Sequence, residues 1–91
     1  MRMLISYDLL TPGRDYEKLY RAIKDQGSTW IHPLESVWII NTTKTTSEVK
    51  DALAKHVDSN DKLFVSVLEH GASWSNLANG FFDWMKKNPG A

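Results

Sequence analysis

Between Arg2 and Leu9 the side chains alternate. Met3, Ile5 and Tyr7 fall on one side, and Leu4, Ser6 and Asp8 on the other. A period of two predicts a strand. That strand closes on a carboxylate, Asp8, just before the turn signal Thr11-Pro12-Gly13. The period then changes. Tyr16, Leu19, Tyr20 and Ile23 recur at helical spacing, which predicts a helix from about Asp15 to Gln26, stopped by Gly27. The stretch STWIHPLESVWIINT is dense in aromatic and β-branched residues and reads as two strands, 29–33 and 36–41, with a break near Pro33–Glu35. Proline cannot donate to a sheet ladder, so the first of these strands belongs at an edge. Thr45 stands three residues before Glu48, a capping box ahead of the apolar stripe Val49, Ala52, Leu53 and Val57. Asp58–Asp61 is a turn and Lys62–Glu69 a further strand. In the tail, Leu77, Phe81, Trp84 and Met85 share one side of a helix that Gly80 weakens.

The order is therefore β-α-β-β-α-β plus a C-terminal helix. Two split β-α-β units of this kind make an α+β ferredoxin-like domain, a four-stranded antiparallel sheet with two helices on one face. The core spans about 2–69 and the aromatic helical tail about 74–88. The first strand would lie between the third and fourth. Its end, Asp8, would then come close to Glu35–Ser36 and to Asp61–Lys62. The tail helix is expected to cover the sheet face that the other two helices leave open, or to form part of an interface. Otherwise Leu4, Trp38 or their neighbours would be exposed.

Composition narrows the function classes. Ninety-one residues with 42% apolar side chains and four Trp suit one domain. There is no Cys, so disulfides and thiolate metal sites are excluded, which fits a reducing, cytoplasmic setting. The N-terminal apolar run is too short for a signal peptide, and no segment has the length of a membrane span. Eleven basic and eleven acidic residues cancel. That balance argues against tight, non-specific binding of nucleic acid, which usually needs a basic surface.

Three segments carry a family resemblance: ISYDL at the end of the first strand, a basic-bearing helix ending at Gly27, and ESVWII. Over roughly residues 2–69 the chain resembles the small ferredoxin-like proteins of CRISPR adaptation, and most closely their SinR-type relatives. VapD-type ribonuclease toxins share the fold more distantly. The resemblance implies a homodimer in which the strand-end Asp, here Asp8, meets its twin and can hold one divalent metal, Mg²⁺. It also matches Ser36 and Trp38 to the Ser-Val-aromatic segment of the third strand. Some members are metal-dependent nucleases; others only hold DNA as a dimeric scaffold.

Mg²⁺ prefers oxygen ligands, and a carboxylate-held ion can polarise a phosphoryl oxygen and activate water. Asp8 is thus the candidate catalytic and metal-binding residue. The plainer alternative is that it accepts hydrogen bonds from the turn that follows. Ser36 could position a phosphate, but it has no activating base, so a backbone role is favoured. Arg14, Lys18 and Arg21 could contact phosphates; as a mixed face with Glu17 and Asp25, they also suit plain solvation. His32, His56 and His70 are far apart, and nothing brings them to Asp8. Trp30, Trp38, Trp74, Phe81, Phe82 and Trp84 could stack bases, but their apolar setting favours packing. Two functional classes follow: a nucleic-acid-binding protein with Mg²⁺-dependent endonuclease activity on DNA or RNA, or a non-catalytic adaptor that binds duplex DNA or, through its aromatic tail, a protein. A small-ligand regulatory domain is a third option, without a glycine-rich loop to support it.

Overall fold

The computed structural model describes residues 1–10 and 16–90. The elements are β1 (Arg2–Asp8), α1 (Glu17–Asp25), β2 (Thr29–Leu34), β3 (Val37–Asn41), α2 (Thr46–Ala54), β4 (Lys62–Val67) and α3 (Phe81–Lys87). The four strands form one antiparallel sheet in the order β2-β3-β1-β4. β1 is therefore central, as the split β-α-β arrangement predicted, and β2, which contains Pro33, is an edge strand.

One face of the sheet carries the main core. Met3, Ile5 and Tyr7 of β1 and Trp38 and Ile40 of β3 pack against Leu19 and Ile23 of α1 and Val49 and Leu53 of α2. The stripe on each helix explains this docking: the apolar residues recur on one side, and burying them is the main driving force. Thr45 caps α2 as expected. Its side chain accepts the Glu48 amide at 3.1 Å, and the Glu48 carboxylate accepts the Thr45 amide at 2.9 Å.

The opposite face holds a smaller cluster of Ile39, Phe81 and Met85, with Ile31, Leu68, Leu77 and Trp84 around it. The C-terminal helix does cover the open face, but only in part. On the β1–β4 half, Phe64 is 62% exposed. Trp38 belongs to the other side, because strand alternation pairs it with Ile40 rather than with Ile39.

Arg2 and Asn88 fasten α3 to the sheet. The Arg2 guanidinium donates from Nη2 to the Glu69 carbonyl at 2.8 Å and from Nη1 to the Met85 sulfur at 3.2 Å. The buried Asn88 Oδ1 accepts from Thr29 Oγ1 at 2.7 Å and Asn41 Nδ2 at 2.9 Å, while its Nδ2 donates to the Trp84 carbonyl at 2.9 Å.

Several boundaries differ from the sequence expectation. Ser36 lies in a two-residue turn with Glu35, not at the start of β3, and β2 runs on to Leu34. The β2–β3 ladder slips between Ile31 and Leu34, where Pro33 has no donor to offer. β4 stops at Val67, short of Glu69, although the Leu68 amide still donates to the Arg2 carbonyl at 2.9 Å at the end of the sheet. Gly80 precedes the first residue of α3 instead of weakening its interior, and Leu77 lies in the loop before it. His56 sits just past α2, where its amide donates to the Leu53 carbonyl.

Candidate functional site

Asp8 is the last residue of the central strand and is exposed. The register puts Lys62 directly across from it on β4. On the other flank, the Tyr7 amide donates to the Ser36 carbonyl at 3.2 Å. Both neighbourhoods expected from the topology are thus in place. Ser6, Tyr7, Asp8, Lys62, Leu63 and Phe64 line a shallow depression of about 140 Å³.

The plain reading of Asp8, as acceptor for the turn after β1, is met by a different residue. The Leu10 amide donates to Asp61 Oδ1 at 2.8 Å. Asp61 also accepts the Asp58 amide at 2.8 Å and the Tyr16 hydroxyl at 3.1 Å on each oxygen. Desolvation pushes the Asp61 carboxyl up, but the two amides and the hydroxyl together hold it below its ordinary value. Asp61 therefore ties β1's exit, the start of α1 and the 58–61 turn together. Among the described residues, no hydrogen bond or ion pair engages the Asp8 carboxylate.

Asp8 is one carboxylate. Among the described residues, no group of three His, Asp or Glu side chains converges on a common point. A single chain thus brings one accessible carboxylate to the depression, with Lys62 beside it. The donor is of the type Mg²⁺ takes, and a second copy would have to supply another.

The other predicted site residues divide. Ser36 lies at the same end of the sheet as Asp8 and acts through its backbone carbonyl, as above. Lys18 and Arg21 are exposed on α1. Arg14 lies outside the described residues.

Across the sheet from Asp8, on the side of α1, is a second constellation that the sequence did not reveal as a unit. Trp38 is its hub. His32 stacks on the Trp38 ring at 3.9 Å between centroids and 13° between planes. Tyr20 stacks at 5.9 Å and Trp30 meets it tilted at 5.3 Å. The Lys24 ammonium lies 4.6 Å from the Trp30 ring centre. The Trp38 indole donates to the Tyr7 hydroxyl at 3.0 Å, and Tyr7 donates in turn to the Glu35 carbonyl at 3.2 Å. His32 Nε2 also meets that carbonyl, at 3.0 Å. A carbonyl can only accept, so Nε2 carries the proton in this contact. Burial raises the Tyr7 phenol above its ordinary value, against the lowering effect of the Trp38 donor. Lys24 went unnoticed in the sequence because its partner is tertiary. Gly27 lets the end of α1 fold back so closely that a Cβ there would meet the Asn41 carbonyl at 2.5 Å, and this brings residues on either side of the turn together.

The third feature lies under the tail. Leu4, Leu34, Val37, Trp74, Leu77 and Phe81 are among the walls of an apolar groove of about 300 Å³. His56 and His70 lie elsewhere in the chain, after α2 and after β4. Among the described residues, no helix is long and apolar enough to cross a membrane. No protein-family model matches the chain.

Proposed function

We propose that this chain is a ferredoxin-like protein of the CRISPR-adaptation class, SinR type, that works on nucleic acid in the cytoplasm as a homodimer. The observation that carries the reading is the state of Asp8. It ends the central strand, opens to solvent, and leaves the hydrogen bonding of the following turn to Asp61. A strand-end carboxylate with no structural duty among the described residues is available for a ligand.

In this reading the Asp8 carboxylates of two chains hold Mg²⁺. Bound there, the ion would supply Lewis acidity toward a phosphodiester and lower the pKa of water. The protein's own part is to place the carboxylates at the end of a rigid sheet, while Arg14, Lys18 and Arg21 act as charge-assisted donors to phosphates elsewhere along the nucleic acid, since α1 packs on the other face of the sheet. Ser36 fixes the β1–β3 end through its carbonyl, which accepts the Tyr7 amide at 3.2 Å. The product would be that of a Mg²⁺-dependent endonuclease. Asp8→Asn tests it: the variant should keep its fold and lose Mg²⁺-dependent cleavage of RNA and DNA. Cleavage at the wild-type rate in Asp8→Asn removes Asp8 from the chemistry.

A second reading is a non-catalytic dimeric adaptor. It is favoured by the tail, where the exposed Trp74 and Phe82 stand beside the apolar groove. Such a surface suits a protein partner, and its binding would depend weakly on salt. Binding of duplex DNA would weaken steeply as salt is added.

A further inference from the structure

We propose that Trp30 and His32, with Lys24 beside them and Arg21 one turn along the same helix, form a stacking platform for unpaired bases of a single-stranded nucleic acid. The inference rests on the nucleic-acid reading above and gives it a substrate class. It uses a surface on the opposite side of the sheet from Asp8.

Trp30 is 41% exposed on the edge strand, two positions from the exposed His32 and therefore on the same side of the sheet. Its ring is not loose, since Trp38 braces it at 5.3 Å. His32 is held twice, by its stack on Trp38 and by the Glu35 carbonyl, so the face turned away from Trp38 is the one presented to solvent. Two ring systems are thus pre-set on a buried indole, and little side-chain freedom remains to be lost on binding. Flat aromatic rings of this kind take any base, because every base has a π face.

Charge completes the fit. Lys24 already lies at Trp30, and Arg21, exposed, stands three residues earlier on the neighbouring helix surface. Glu17 and Asp25 stand four residues to either side of Arg21, so the helix surface carries both signs and Lys24 is the cation held at the rings. A backbone phosphate next to a stacked base would meet one cation or the other. Selection for single strands follows from geometry: in a duplex the base faces are already stacked on each other and cannot lie on a protein ring unless the base is flipped out.

The test uses the full chain and short labelled oligo(dT), oligo(U) and a matched duplex, read by anisotropy and by quenching of Trp fluorescence. The platform predicts tighter binding of the single strands than of the duplex. Trp30→Ala should weaken single-strand affinity roughly 5- to 150-fold, the range expected for one lost base stack. Trp30→Phe should retain most of the affinity and lose part of the quenching. Lys24→Gln, which removes a surface charge and leaves the core intact, should lower the slope of log K against log salt by about 0.7. Equal affinity in wild type, Trp30→Ala and Lys24→Gln overturns the platform and leaves the nucleic-acid reading standing, as does a preference for duplex. No binding to any of the three probes overturns both.

Discussion

Replacing Asn88 by Ala should loosen the tail helix and lower the stability of the whole domain. Asn88 is buried at the C-terminal end of α3, where its side-chain amide makes three hydrogen bonds. Two are accepted from Thr29 and Asn41, at 2.7 and 2.9 Å; the third is donated to the Trp84 carbonyl at 2.9 Å. Each such bond contributes about 1 kcal/mol net. Thr29 is exposed and Asn41 half-buried, so both can recover water, which places the total at about 2–3 kcal/mol. For a domain of this length each kcal/mol moves the melting temperature by roughly 4–8 °C, so a fall of about 10–20 °C is expected. Urea unfolding followed by Trp fluorescence measures it, because Trp74 and Trp84 lie in the tail. Asn88→Asp should do no better. It keeps the acceptor for Thr29 and Asn41 but turns an oxygen toward the Trp84 carbonyl. A loss below about 0.5 kcal/mol in Asn88→Ala would refute the anchoring role and leave apolar packing of Phe81 and Met85 to hold α3 alone.

Three further outcomes are expected. Thr45→Ala removes the side chain that accepts the Glu48 amide and should cost about 1 kcal/mol in urea unfolding, with no change in the sheet by circular dichroism. Gly27→Ala puts a Cβ 2.5 Å from the Asn41 carbonyl and should destabilise by about 1–3 kcal/mol, with the loss visible as a lower urea midpoint. The Asp61 and Glu48 carboxyls are both held low in the folded state, by hydrogen bonds that outweigh desolvation for Asp61 and by the Thr45 amide first of all for Glu48. A depressed pKa gives stability that is present above the unfolded value and disappears as pH falls through the folded one. The urea midpoint should therefore hold near neutral pH and drop below pH about 4, and Asp61→Asn should flatten part of that drop.

The backbone plan was open to reading because each element announced its own period. The alternation of β1, the stripe of α1 and the capping box of α2 are local signals, and Pro33 marked its strand as an edge. The end of β1 could be placed against Glu35–Ser36 and Asp61–Lys62 from topology alone. What escaped were features decided by contacts across the fold. Two Asp residues at the same end of the sheet look alike in sequence, yet only their surroundings assign Asp61 to the turn and leave Asp8 open. Trp38 was expected beside Leu4 on the open face, and only the register and packing place it with Ile40 on the helix-covered one. Lys24 meets Trp30 only because Gly27 lets the chain double back. Gly80 read as a helix interior because α3 is short and its first apolar contact, Leu77, comes from the loop before it.

The most direct test of the central claim is a structure of the protein with Mn²⁺, phased on the metal and read for the separation of Asp8 carboxylates across the dimer. The account predicts one ion between them, lost in Asp8→Asn. Asp8 carboxylates that lie far apart, with no ion at either, would contradict it.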